Sequence, residues 1–110
     1  MARTAKTLAL NSVESTSLSQ VYLVPSGINT TGSVLALTNT TGTNLVIDIY
    51  HNDGSVDFLI RSITLPAGAG RERVYYGFQR RTFNAGHAIK VQADSSAKFN
   101  VSVHGSENEL

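Results

Sequence analysis

Histidines are the side chains in this 110-residue chain best suited to acid–base or metal chemistry, and their spacing favours neither role. His51, His87 and His104 are far apart. No two of them stand four residues apart, as on a metal-binding helix, or form a His-x-His strand motif. Each lies next to turn-forming residues, so we expect rim positions at strand ends. The histidines therefore predict no metal site.

Acidic and hydroxyl side chains also lack a catalytic arrangement. Asp53 stands in an Asn-Asp-Gly-Ser run with Asp48 and Asp57 nearby, but a calcium loop needs oxygen ligands at alternate positions and a closing bidentate acid. A nucleophilic serine needs a base and an orienting acid, and no Gly-x-Ser-x-Gly elbow or glycine-rich phosphate loop is present. The chain has no cysteine, which excludes disulfides and thiolate metal sites. We expect no enzyme activity and no cofactor.

Arginines and aromatic residues alternate in one segment. Four of the nine basic residues fall between positions 71 and 81. Such a mixture is enriched at protein interfaces, where tyrosine and arginine are common anchors. One alternative is that the segment binds single-stranded nucleic acid, with stacking by the aromatic rings and phosphate contact by the arginines. The other is that the segment is a solvated loop. We favour the interface; its candidate residues are Arg71, Arg73, Tyr75, Tyr76, Phe78, Arg80, Arg81 and Phe83.

Composition points away from nucleic acid and membrane as partners. The net charge is only +1, so no strong field attracts polyanions or anionic lipid. No apolar run approaches the roughly 18 residues of a membrane span, and the N-terminus lacks the apolar stretch of a secretory signal. Charged residues make up 15% of the chain. A surface rich in threonine, serine and asparagine can be buried against a partner with hydrogen bonds alone.

Short segments throughout the chain alternate between apolar and polar residues, which predicts strands. We place them at residues 6–10, 18–24, 33–38, 45–50, 56–65, 71–76, 88–94 and 98–104. The Asp53-Gly54 pair predicts a hairpin with a primed turn, and residues 77–86 are expected to be irregular. About eight strands without a helical segment predict an antiparallel β-sandwich, either jelly-roll or immunoglobulin-like. The expected core consists of Val21, Leu35, Leu37, Ile47, Ile49, Ile89, Val91, Phe99, Val101 and Val103.

The two ends are expected to lie outside this sandwich. Residues 1–16 are polar and predict an N-terminal arm or edge strand, with Leu8 and Leu10 as contacts to a neighbouring subunit. We expect the domain at 17–105 to fold without residues 2–12. Residues 106–110 are expected to be a polar tail.

Several motifs resemble small structural proteins of tailed bacteriophage particles. They are VYLVPSG at 21–27, VLALTN at 34–39, the Asp53-Gly54 hairpin, LPAG at 65–68, FNAGHAI at 83–89 and VSVHG at 101–105. The resemblance spans roughly residues 17–105. His87 stands where such proteins usually have aspartate.

The resemblance implies a virion component, made in the host cytoplasm, that decorates or cements the capsid or attaches to the tail. Its partners would be other virion proteins. A homo-oligomer is expected, with a trimer favoured because many virion appendages are threefold. The alternatives are a fibre-tip module that stacks a host glycan on Tyr22, Tyr50, Tyr75 or Tyr76, and a single-strand nucleic-acid binder.

Overall fold

Strands form almost all of the regular structure in the computed structural model, which describes residues 3–13, 16–67, 71–75, 77–94 and 99–109. A 3-10 helix at Gly77–Arg80 is the one helical element of these residues. The strands are β1 (Arg3–Val13), β2 (Ser19–Leu23), β3 (Ile28–Asn39), β4 (Leu45–Asn52), β5 (Asp57–Leu65), β6 (Arg71–Tyr75), β7 (Thr82–Phe83), β8 (Ala88–Ala93) and β9 (Phe99–Glu109).

Two antiparallel sheets pack into a sandwich. The first sheet has the order β1-β9-β3-β6, and the two-residue β7 also pairs with β3; the second has the order β2-β8-β4-β5. The pairs are nested: β1 with β9, β2 with β8, β3 with β6 and β7, and β4 with β5. A long antiparallel ribbon wound in this way is a jelly roll, so the all-β sandwich prediction is confirmed.

The core lies where the alternating apolar residues of the two sheets meet. All ten residues expected there are buried. Leu35 and Leu37 from β3 face inward beside Val101 and Val103 from β9, because directly opposite residues of an antiparallel pair share a face. The second sheet contributes Ile47 and Ile49 from β4. Period-two alternation thus identified the inner faces of β2, β3, β4, β8 and β9.

The N-terminal segment is an edge strand of the chain's own sandwich. β1 pairs with β9 from Arg3, opposite Asn108, to Val13, opposite Phe99. Val13 is buried, and Leu8 packs against the core. The sandwich therefore begins well before residue 17, and the expectation that it folds without residues 2–12 needs revision.

The prediction of a polar tail at 106–110 is wrong for residues 106–109, because β9 continues through Gly105 to Glu109. Glycine commonly marks the end of a strand, but here it allows a close approach. A Cβ on Gly105 would lie 3.1 Å from Ser33 Cα and 3.2 Å from Leu8 Cδ1. Gly105 faces the unpaired residues 32–33 of β3 and adjoins an irregularity in β1. A side chain at position 105 would require these neighbours to move by a few tenths of an ångström.

The predicted hairpin between β4 and β5 is present, but its turn is not a type I′ turn centred on Asp53 and Gly54. Asn52 pairs with Asp57, which leaves a loop of residues 53–56. Gly54 has a φ of 101°, whereas Asp53 has a negative φ, and a type I′ turn needs positive φ at both central residues. Asp53 instead accepts hydrogen bonds from the backbone N–H groups of Ser55 (3.0 Å) and Val56 (2.8 Å).

The segment expected to be irregular is partly ordered by β3. β6 pairs with residues 35–39 of β3, and β7 pairs with Thr30 and Thr31 farther along the same edge. The 3-10 helix Gly77–Arg80 connects the two. Together these elements form one free edge of the first sheet.

Candidate functional site

The structure describes three of the four aromatic residues in the predicted arginine–aromatic interface, and all three lie in the core or pack against it. Phe78 and Phe83 are fully buried. Their ring centroids lie 5.1 Å apart, and Tyr75, which is partly buried, meets Phe78 edge-on at 5.1 Å. The interface assignment is therefore wrong for Phe78 and Phe83, and these two rings cannot stack on bases. Sequence alone could not separate them from surface aromatics, because their burial depends on the 3-10 helix folding back over β3.

The structure describes the side chains of three of the four arginines in the same segment, and all three are exposed. Arg73, Arg80 and Arg81 lie at the surface, and none forms an ion pair with another described side chain. Arg73 lies opposite Leu37, so it points along the inner face at the free edge of the first sheet. The backbone of Arg71 is in β6; its side chain and Tyr76 lie outside the description. The structure thus separates the predicted cluster into buried rings and exposed guanidinium groups.

An exposed apolar strand that the sequence analysis did not single out lies at the edge of the second sheet. Val56, Phe58 and Leu59 are 50%, 51% and 57% exposed. Phe58 lies opposite His51, and Leu59 lies opposite Tyr50, so the two side chains point to opposite faces. The available signal was the VDFLI run at 56–60, which lacks clean alternation.

Arg61 joins this exposed strand to the arginines of β6. It lies opposite the buried Ile49 and points along the inner face, yet it is exposed because β5 is an edge strand. β5 packs beneath β3, the neighbour of β6. Arg61 and Arg73 therefore lie on the same open side of the sandwich, one in each sheet. We call this surface the β5–β6 edge, consisting of Val56, Phe58, Leu59, Arg61 and Arg73.

A buried asparagine holds one end of the β5–β6 edge in place. Asn39 at the end of β3 donates from Nδ2 to the carbonyl oxygens of Thr43 (2.7 Å) and Leu65 (3.2 Å). It joins the two sheets at this corner, and Arg71 lies opposite it. Counted from the corner, Arg73 is two residues along β6 and Arg61 is four residues before Leu65 on β5. Strand pairing thus sets the backbone positions of Arg61 and Arg73 relative to this corner.

Leu8 and Leu10, the candidate contacts of the arm, have different environments. Leu8 packs against the core, so it is not a free contact residue. Leu10 is 73% exposed. It lies at a shallow groove of about 420 Å³ on the outer face of the first sheet, lined also by Asn11, Ser12, Ala36, Thr38, Asn100, Val101 and Ser102.

Of the four tyrosines proposed to stack a glycan, the three that the structure describes are not grouped. Tyr22 is buried, and its hydroxyl lies 2.8 Å from Thr30 Oγ1 and 2.8 Å from Glu107 Oε2, which joins the two sheets. Burial, with the nearby Glu107, raises the pKa of Tyr22 to about 12. Tyr22 is therefore excluded as a stacking residue. Tyr50 is half-buried on the outer face of β4, and neither it nor Tyr75 lines the groove.

Two of the three histidines meet at one end of the sandwich. His51 Nε2 and His87 Nδ1 lie 2.9 Å apart, and His51 also packs on Phe83 with ring centroids 4.1 Å apart. Burial, His87 and Arg81 hold the pKa of His51 below its usual value, and Asp53 opposes them. One ring donates and the other accepts, and the tautomers of the two rings decide which of them is the donor. The distant spacing in sequence hid this contact.

The acidic residues of the hairpin are already engaged. Asn52 donates to Asp57 Oδ1 at 2.7 Å, and Lys90 Nζ lies 3.3 Å from the same oxygen. Backbone N–H groups of Val56 and Ser55 hold the pKa of Asp53 below its usual value. Across the described part of the chain, histidine and acidic side chains form no group of three suited to a metal ion. Among those residues there is also no helix with the length and apolar character to cross a membrane.

No protein-family model matches this chain, and no curated protein sequence matches it.

Proposed function

We propose that this chain is a non-enzymatic virion structural protein that docks on a phage capsid or tail. The observation that carries the proposal is the β5–β6 edge, where apolar side chains and arginines are exposed together. Exposed apolar groups beside arginine are typical of surfaces that bind protein. The choice of a phage capsid or tail as the docking partner rests on the resemblance of the strand and turn motifs to phage structural proteins.

The fold is compatible with this role without deciding it. Jelly rolls occur in viral capsid domains and also in lectins and cupins, so fold alone carries no function. The surface chemistry favours docking, because the described residues combine few charges with many neutral hydroxyl and amide groups. Such groups lose less on desolvation than lysine or glutamate.

The test is retention on virus particles that lack this protein. Purified wild-type protein should co-sediment with the particles, and its free form should sediment as a homo-oligomer, with a trimer expected. Changing Arg80 and Arg81 together to alanine should weaken retention or assembly while the melting temperature stays unchanged, because exposed charges contribute little to folding. Failure of the wild type to bind any such particle would contradict the proposal.

A glycan-binding module is the second candidate, and the groove beside Leu10 is the observation that favours it. Hydroxyl and amide side chains line the groove, including Thr38, Asn100 and Ser102. These groups would bind sugar hydroxyls by hydrogen bonds. Glycan-array binding that Asn100→Ala abolishes, without particle retention, would favour this function over virion docking.

A further inference from the structure

β5 presents an unpaired backbone edge. It is nine residues long and the last strand of its sheet, and within the described residues it pairs only with β4. Its outward N–H and C=O groups can therefore pair with another extended chain. Such strand addition supplies hydrogen bonds from the main chain and specificity from alternate side chains.

Apolar side chains flank this edge on both faces of the sheet. Leu59 points to the outer face beside Tyr50, and Phe58 points to the inner face beside His51. Both are more than half exposed. A strand added to β5 would cover both side chains at once, whereas a partner docking on one face would leave the other exposed. The position of the apolar groups thus favours strand addition.

The charges at the edge identify the chemistry of the added strand. Arg61 and Arg73 are exposed and have no acidic partner among the described side chains. Asp57, the one acidic residue of β5, already forms an ion pair with Lys90 and accepts a hydrogen bond from Asn52. A strand with carboxylates at alternate positions would pair with the arginines, and charge-assisted bonds to guanidinium are strong.

The same arginines disfavour a second copy of this chain on the edge. Two β5 strands paired about a twofold axis would bring two Arg61 side chains into one small region, and like charges across strands destabilise pairing. An irregularity between Leu59 and Arg61 also interrupts the ladder. Charged side chains and bulges at sheet edges are known to hinder self-association.

We propose that the β5–β6 edge binds an extended acidic segment of a partner protein, which adds to β5 as a strand and places its carboxylates at Arg61 and Arg73. The identity of the partner as another particle subunit rests on the proposed function. The binding chemistry follows from the edge itself.

A synthetic peptide tests the chemistry directly. The probe is a blocked, fluorescent peptide of about ten alternating Glu and Val residues, long enough to cover β5. One control peptide replaces Glu by Lys, and another carries N-methyl groups at alternate residues, so that it cannot complete the ladder. Fluorescence anisotropy measures binding, and hydrogen exchange measures the protection of the β5 amides.

The acidic peptide should bind and protect the β5 amides, and the two control peptides should not. Arg61→Glu should weaken binding at least about tenfold through charge repulsion, and Leu59→Ser should also weaken it. Gln20→Glu, at an exposed position on β2 at the opposite edge of the second sheet, is the charge control. Leu10→Ser is the matched apolar control on β1, and both variants should bind like the wild type. Binding should weaken as salt rises from about 50 to about 500 mM.

Three results would overturn the proposal. They are equal binding of the N-methylated peptide, binding unaffected by Arg61→Glu, and stronger binding of a poly-dT oligonucleotide that Arg61→Glu abolishes. The last result would assign the edge to nucleic acid. Particle retention separates this inference from the proposed function. If the Arg61→Glu and Leu59→Ser variants are both retained on particles like the wild type, the inference about the β5–β6 edge is wrong and the proposed function stands.

Discussion

Phe58 and Phe99 show how the fold gives one residue type two roles. Phe99 is fully buried at the start of β9, whereas Phe58 is half exposed on β5. Phe99→Ala should lower the free energy of unfolding by about 3–5 kcal/mol, because it leaves a cavity in the core. Phe58→Ala should cost less than about 1 kcal/mol. Urea unfolding of both variants checks the pair; similar losses would mean that the inner faces are misassigned.

The Tyr22 hydroxyl predicts a loss of stability in alkali. The pKa of Tyr22 is raised from 10.0 to about 12, so the folded state holds this proton more tightly than the unfolded state. Its contribution is fully present below pH 10 and is lost as the pH rises through about 12. Tyr22→Phe should flatten this alkaline decline and lower stability at neutral pH by about 1–3 kcal/mol, since buried partners lose a hydrogen bond. Tyr50→Phe is the matched control, and an unchanged alkaline decline in Tyr22→Phe would contradict the assignment.

The His51–His87 contact predicts a loss of stability in mild acid. The pKa of His51 is lowered from 6.5 in the folded state, so the unfolded state takes up protons first as the pH falls. Stability is therefore present above about pH 6.5 and declines below it. His51→Gln should flatten the decline between about pH 7 and 5 in thermal melts, whereas the exposed His104→Gln should not. Identical profiles for the two variants would rule out this role of the pair.

At the scale of elements, β1 contributes to the fold through one face and leaves the other exposed. Leu8→Ser should destabilise the protein by about 1–3 kcal/mol, because Leu8 packs against the core. Leu10→Ser should leave unfolding unchanged, since Leu10 is exposed. Deleting residues 2–12 removes most of the ladder to β9 and should lower the melting temperature or prevent folding. A truncated protein as stable as the wild type would show that β1 is dispensable.

At the scale of the whole molecule, we expect apolar burial and strand pairing to supply the stability. Because the described residues hold no cluster of three metal-binding side chains, a chelator should leave the melting temperature unchanged. A metal bound only to the folded state would raise that temperature, and its removal would lower it. A drop of several degrees in EDTA, reversed by one added metal ion, would contradict this expectation.

The sequence by itself determined which face of each main strand is buried. Alternation is a local property, since successive side chains of a strand point to opposite sides whatever the strand pairs with. The inward positions of Ile47, Ile49, Val101 and Val103 therefore followed from their spacing. The absence of long helices followed in the same way, from the lack of a helical period.

Only the tertiary structure decided which strands are neighbours and which edges stay open. The nested pairing brings β1 to β9 and β2 to β8 across most of the chain, and such long-range partners leave no local mark in a sequence. For the same reason the sequence could not reveal that Phe78 and Phe83 are buried, that Gly105 lies inside a strand, or that Arg61 lies on the same side as Arg73. The candidate site is a property of sheet edges, and an edge is defined by the absence of a neighbour in space.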